Sequence, residues 1–303
     1  MRLTFIRNIQ KFVKKDKNII ILTGDLGQFF DEFKNFHPDK FINVGVSESN
    51  MVGVAAGLAL AGKKVYCYSI IPFLTMRAFE QIRLDVCLHN LDVKFLGAGG
   101  GLSYGLEGST HHALEDVAIM RSLPNMSIVV PGDPFEIEAA ANFSVKHKGP
   151  LYVRFGKDKL PYIHKSAPKF KIGKGIIINK GKNIAIIANG TMLHVAKIIS
   201  DNLSKKGIKI TLISMPFVKP IDINLIKNLS KNHKKIFTIE EHSVIGGLGD
   251  AVGDILLQNN FKGSFRKIGL PDEFSRFSGS HGFLLEKYGL TSEKIQKEIL
   301  KNN

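Results

Sequence analysis

The stretch Asn43-Val44-Gly45-Val46-Ser47-Glu48-Ser49-Asn50, followed at 51–62 by MVGVAAGLALAG, decides how the rest of the chain is read. An apolar strand pattern at 41–46 gives way to a helix expected at 51–60, built from small apolar residues with no side suited to water. A helix that is apolar all round has to be covered all round. Glu48 stands at its mouth, and a carboxylate buried there ionised and unpaired costs on the order of several kcal/mol. Its position therefore implies a hidden partner or a task.

Working outward, the pattern alternates. Upstream lie a helix at 2–13, with apolar residues at helical spacing, and a strand at 19–23 ending in Gly24-Asp25. Downstream come a strand at 64–70, a helix at 75–89, a strand at 93–96, a glycine-rich loop at 97–108, and a helix at 113–121. A strand at 127–130, a helix at 134–146 and a strand at 151–155 complete the first half. Pro161, Pro168 and several lysines then break the periodicity. Beyond them the expected strands are 183–188, 209–214, 235–239 and 265–269, and the helices are 192–203, 223–229, 248–257 and one from Ser292. Such alternation implies parallel strands with helices on both faces. The expected fold class is α/β: two consecutive open α/β domains with mainly parallel sheets, at 1–165 and 175–303, joined by a linker at 166–174.

Composition narrows the function. The 303 residues suffice for two domains, and the 42 basic against 27 acidic residues give a net charge of +15. A nucleic-acid partner is not expected, because the lysines are spread over both halves and no run of them is interleaved with aromatics. The longest uncharged apolar run, 52–62, is far short of the roughly 20 residues that span a bilayer, so no membrane partner and a cytoplasmic location are expected. Cys67 and Cys87 match no ligand spacing and read as reduced, buried thiols.

In open α/β sheets ligands bind at the carboxyl ends of strands, which selects the loops carrying Asp25, Glu48, Phe73, residues 99–111 and Arg154. The glycine-rich loop has no phosphate-cradle pattern, and Gly246-Gly247-Leu248-Gly249, which opens a helix, reads better as tight helix packing than as a dinucleotide fingerprint. His111 and His112 are adjacent and so poorly placed to share a metal; no metal site is expected. Glu107, Ser109, Thr110 and His111 nevertheless form a dense polar cluster. Arg154 reads either as a surface ion pair or as a phosphate grip, and Phe73 as core or as a plate for a flat heterocycle.

Several stretches together resemble one family. Residues 44–59 (VGVSESNMVGVAAGLA), 105–112 (GLEGSTHH), 121–126 (RSLPNM) and 129–133 (VVPGD) resemble the pyrimidine-binding domain of transketolases. Residues 215–222 (MPFVKPID) and 240–249 (EEHSVIGGLG) are similar to the transketolase C-terminal domain. The best match is the stand-alone C-terminal subunit of a split transketolase, which implies a thiamine-diphosphate-binding fold followed by a transketolase C-terminal-like fold. The resemblance implies that Glu48 contacts N1′ of the aminopyrimidine of thiamine diphosphate and that Phe73 stacks on that ring. By the same resemblance Asp25 lies near the cofactor, His111 near the reacting carbons, and Arg2 and Arg154 hold a sugar phosphate.

The family's G-D-G motif for metal and diphosphate is absent. The resemblance therefore implies a partner N-terminal subunit that holds Mg2+ or a similar ion, in an α2β2 assembly. Three positions depart from the family pattern: Gly99 replaces a substrate-binding histidine, Glu107 an aspartate, and Phe29 a phosphate-contacting serine. The implied activity is two-carbon ketol transfer from a ketose to an aldehyde, and the three departures admit a modified or nucleotide-linked sugar as acceptor. The alternatives are a subunit of a 2-oxo acid decarboxylating or deoxyxylulose-phosphate-synthase-like enzyme, and a non-catalytic subunit that kept the fold.

Overall fold

A computed structural model of the chain describes residues 2–157 and 159–301, without the side chains of Arg2 and Phe29. It contains two sheets. The first has seven strands in the order β10-β5-β6-β4-β3-β1-β2. They are β1 (Ile19–Thr23), β2 (Phe41–Asn43), β3 (Lys64–Ile70), β4 (Val93–Ala98), β5 (Ser127–Val129), β6 (Leu151–Phe155) and β10 (Phe217–Lys219). All neighbours are parallel except β10, which runs antiparallel to β5 although it lies in the second half of the chain. The second sheet has the order β12-β11-β8-β9-β7, from β7 (Ile176–Asn179), β8 (Asn183–Ala188), β9 (Thr211–Ser214), β11 (His233–Ser243) and β12 (Ser264–Leu270), with only β7 antiparallel.

The two-residue period of each strand sorts its side chains onto opposite faces. On β3, Val65 and Cys67 pack with α3 (Glu48–Leu60) through Met51, Val52 and Ala55, whereas Tyr66 and Tyr68 belong to the opposite layer with α1 (Arg2–Val13) and α6 (Pro134–Lys146). β8 divides likewise: Ile184 and Ile186 pack with α7 (Met192–Lys205), and Ala185 and Ile187 with α8 (Ile223–Asn232) and α9 (Leu248–Gln258). Helices on both faces of mainly parallel strands are the arrangement the alternation implied.

Several local expectations change: the strand expected at 41–46 ends at Asn43, the helix expected at 113–121 begins at Asp116, and the short helices Asp31–Phe36 and His281–Lys287 add to those expected. The helix on 51–60 starts earlier, at Glu48. The helix on 75–89 is instead two wide π-helical segments, Pro72–Arg77 and Ile82–Leu88, around the short α4 (Phe79–Gln81). The short strands β7 and β10 were not foreseen; β10 is three residues between Pro216 and Pro220, too few to show a period. The expected packing role of Gly246-Gly247-Leu248-Gly249 is observed: the Glu240 carboxylate accepts from the N–H groups of Leu248 and Gly249 at 2.7 Å each, capping α9 where a Cβ on Gly247 would lie 2.1 Å from Glu240. Among the described residues, no helix is long and apolar enough to cross a membrane.

Candidate active site

Glu48 is the first residue of α3, at the end that carries unpaired backbone N–H groups. Its side chain is 1% exposed, and the hidden partner is an ion pair. Arg77 Nη1 donates to Oε2 at 2.6 Å, and Ser69 Oγ, from the end of β3, donates to Oε1 at 2.8 Å. Gly24, after β1, comes so close that a Cβ would lie 3.1 Å from Oε1. Asp25 follows with φ +58, exposed, its N–H on Asn43 Oδ1 at 3.0 Å.

The segment Pro72–Arg77 carries both Phe73 and Arg77, and π-helical turns of this kind are frequent at functional sites. The Arg77 guanidinium rests over the Phe73 ring, 4.6 Å from its centre. Phe73 is half-buried and meets His111 edge-on, with ring centres 5.1 Å apart. His111 Nδ1 lies 2.9 Å from Thr110 Oγ1. His112, by contrast, is buried, and burial holds its pKa below the usual histidine value.

Gly99 does not open onto a cleft. It is buried at φ +88, and a Cβ there would lie 2.1 Å from Cδ2 and Cε2 of Tyr104, so the tyrosine ring fills the room of the missing side chain. Tyr104 meets His111 at 6.0 Å between ring centres, Lys157 Nζ sits 4.7 Å over the Tyr104 ring, and Lys157 pairs with Glu107 at 3.5 Å. Contacts therefore run unbroken from Glu48 through Arg77, Phe73, His111, Tyr104 and Lys157 to Glu107, all near the carboxyl ends of the first sheet's strands.

Arg154 stands apart from that line, and both readings of it change. It is neither a surface ion pair nor an open phosphate grip. Its Nε donates to Asp116 Oδ2 at 2.8 Å, and its Nη2 reaches Asp116 Oδ1 at 3.2 Å, Ala113 O at 2.8 Å and Glu241 O at 3.0 Å. Tyr152 OH also donates to Asp116 Oδ2, at 2.6 Å. Burial alone would lower the Arg154 pKa, but the Asp116 charge holds it above the ordinary arginine value. The guanidinium ties Ala113, which pairs with Gly101 of the glycine-rich loop, to Glu241 in the second half of the chain. The side chains of Arg2 and Phe29, also expected at the substrate end, lie outside the described residues.

The second half grips that loop at further points. The buried Glu241 carboxylate accepts from Leu102 N–H at 2.7 Å, lies 2.8 Å from His281 Nε2 and accepts from Thr191 Oγ1. Ser109 Oγ donates to Ser275 O at 2.7 Å, and Gly279 N–H to Gly105 O at 3.1 Å. The sequence reading singled out none of Ser69, Arg77, Tyr104, Asp116, Lys157 or Glu241. A usable signal existed for Arg77, one helical turn after Phe73, where i and i+4 side chains meet.

A buried, hydrogen-bonded carboxylate beside an aromatic plate and a histidine can hold a flat heterocycle and share a proton with it. Among the described residues, no group of three or more His, Cys, Asp or Glu could hold a metal ion.

Comparison with known proteins identifies both halves of the chain. Residues 1–162 match the family described as transketolase, pyrimidine binding domain, and residues 173–295 match transketolase, C-terminal domain. A putative transketolase C-terminal section from Methanocaldococcus jannaschii is 36% identical over 99% of this chain and 95% of its own length. An apulose-4-phosphate transketolase subunit from Actinobacillus succinogenes is 31% identical over 95% of this chain and 94% of its own. A solved split-gene transketolase, described as an inactive beta4 tetramer, superposes with a TM-score of 0.91 at 33% identity, covering 99% of this chain and 97% of that one. With both domain families matched in order and relatives aligned end to end, this chain belongs to the transketolase family.

Proposed function

We propose that this chain is the C-terminal subunit of a two-chain, thiamine-diphosphate-dependent transketolase that moves a two-carbon ketol unit from a ketose to an aldehyde. The observation that carries the reading is Glu48: a 1%-exposed carboxylate, held by Ser69 and by Arg77, whose guanidinium in turn rests over the half-buried ring of Phe73. These residues fit the aminopyrimidine end of the cofactor. Glu48 would hold a proton against a ring nitrogen, Phe73 would stack on the ring, and Asp25 would lie beside it. Once bound, thiamine diphosphate supplies the carbon nucleophile and the electron sink. His111, in contact with Phe73 on one side and Tyr104 on the other, would give or take a proton at a substrate oxygen.

The diphosphate end needs another chain. The G-D-G motif is absent, and no metal-holding group lies among the described residues. An N-terminal subunit would bring the diphosphate, the Mg2+ or similar ion, and the other wall of the site, in an α2β2 assembly. Helix α3 supports a partner: Gly53 and Gly57 face open space, and Leu60 and nearby Val46 are each 70% exposed, an uncovered apolar face. The relative named for apulose 4-phosphate makes a non-standard sugar substrate reasonable here too, in keeping with Gly99 and Glu107.

The test is reconstitution with the N-terminal chain, thiamine diphosphate and Mg2+. Ketose formation is expected from the pair and from neither chain alone, with poor turnover of xylulose 5-phosphate and ribose 5-phosphate. Carbon dioxide release from pyruvate without ketol transfer would argue for a decarboxylating enzyme, and ordinary efficiency on the two pentose phosphates would remove the altered-substrate part.

A further inference from the structure

The loop that carries His111 is held at its ends by the first sheet and at its tip by the second half of the chain. Gly101 and Ala113 bridge the two ends, and the N–H groups of Gly99 and Gly100 both donate to Phe155 O on β6, at 2.9 and 2.8 Å. Between those ends the partners change. Leu102 and Leu114 belong to the same buried cluster as Leu193, Ile239 and Leu284, the core of the second half. Gly105 lies so close to the irregular segment 271–280 that a Cβ would be 2.3 Å from Gly279 O, and Ser278 Oγ donates to Leu106 O at 2.9 Å. Glu241 closes the arrangement: one oxygen, Oε1, accepts from Leu102 N–H at 2.7 Å and lies 2.8 Å from Nε2 of His281, the first residue of the helix that follows that segment. Glu48 is held differently, because its partners Ser69 and Arg77 both lie in the first half.

We propose that His281, acting through Glu241, is a positioning residue for the tip of this loop and so for His111: the second half of the chain sets the histidine side of the site, and the first half sets the Glu48 side. This rests on the ketol-transfer reading, in which Glu48 activates the cofactor and His111 moves a proton at a substrate oxygen. A proton-transfer group has to lie within hydrogen-bond reach of the atom it serves, and a misplacement of about 1 Å costs on the order of 100-fold in rate. Loosening the His281–Glu241–Leu102 clasp therefore slows the steps that use His111 and spares the one that uses Glu48.

The test reads the two sides separately. In the isolated chain, followed by hydrogen–deuterium exchange and mass spectrometry, His281→Ala is expected to speed amide exchange at residues 102–112 by about tenfold and to leave residues 48–60 unchanged. In the reconstituted pair it is expected to leave exchange of the thiamine diphosphate C2 proton within about twofold of the wild type, and to lower kcat for transfer from β-hydroxypyruvate to glycolaldehyde by about 10- to 100-fold. In that reaction carbon dioxide leaves the donor, a carbon–carbon bond forms to the aldehyde, and the aldehyde oxygen takes a proton. His281→Gln, whose amide can donate to Glu241, is expected to recover most of the loss. Should His281→Ala not fold, Ser109→Ala, which removes the bond to Ser275 and leaves every buried charge in place, carries the same comparison. Equal losses in proton exchange and in transfer would make the clasp a general prop and overturn the proposal, as would unchanged transfer or unchanged amide exchange at residues 102–112. A wild-type pair that exchanges the C2 proton but transfers nothing to the aldehyde would overturn the ketol-transfer reading itself, and the proposal with it.

Discussion

Replacing Arg154 by Ala separates two roles that predict different failures. The guanidinium and the Asp116 carboxylate are 6% and 0% exposed, so neither charge can turn to water when the other is removed. Truncation leaves Asp116 with the Tyr152 hydroxyl at 2.6 Å, and takes a donor from Ala113 O and Glu241 O. Breaking a buried pair by deleting one partner costs about 3–5 kcal/mol. Urea unfolding of the isolated chain, followed by circular dichroism, should show a loss of that order for Arg154→Ala. Asp116→Ala should lose a comparable amount, and the double variant much less than the sum, because it leaves no lone charge. The contrary result is Arg154→Ala unfolding within about 1 kcal/mol of the wild type while the reconstituted pair shows only a raised KM for a phosphorylated substrate. That outcome would return Arg154 to the phosphate.

Other perturbations test neighbouring parts of the molecule. Gly99→Ala should destabilise the chain by about 1–3 kcal/mol through backbone strain alone, and more because its methyl meets Tyr104; adding Tyr104→Ala should recover the second part, seen as non-additivity in urea midpoints. His147 is held down to about 4 by burial, chiefly, and by the Lys94 charge. Its folded pKa thus lies below its unfolded value, so its share of stability is present above the unfolded pKa near 6.5 and drains away as pH falls toward about 4. His147→Gln should flatten the stability profile across that window. Gly57→Gln adds a long side chain to the open face of α3 and replaces a glycine inside a helix, so it should leave the isolated chain at least as stable to heat while weakening assembly with the N-terminal chain, measured by sedimentation.

Much of the fold was legible because long apolar strands and amphipathic helices announce their periods: β3, β6, β8 and α6 have the bounds the sequence implied. What escaped was short or depended on distant chain. β10 is three residues whose pairing with β5 is a tertiary fact, and the two π-helical segments share the apolar spacing of an ordinary helix. At the site, Glu48 was legible from cost alone, since a carboxylate opening an apolar helix demands explanation. Its partner was not, because Arg77 lies 29 residues away in a segment that read as a plain helix. Arg154 shows the converse limit. Its place at a strand end was right, but a pattern of residues cannot tell a guanidinium open to ligand from one already closed on Asp116, Ala113 and Glu241. The Gly99–Tyr104 pair was hidden for a simpler reason: a stretch of loop separates them, and only the turn at φ +88 brings the ring over the glycine.

If Glu48 of this chain activates a cofactor delivered by another, the step it governs can be watched by itself. Exchange of the thiamine diphosphate C2 proton for deuterium, followed by NMR in mixtures of the two chains, reports that activation without any sugar substrate. Exchange accelerated by orders of magnitude is expected in the wild-type pair, with a return to the rate of free cofactor for Glu48→Ala or for either chain alone. Fast exchange that survives Glu48→Ala in an assembled, cofactor-bound pair would contradict that role.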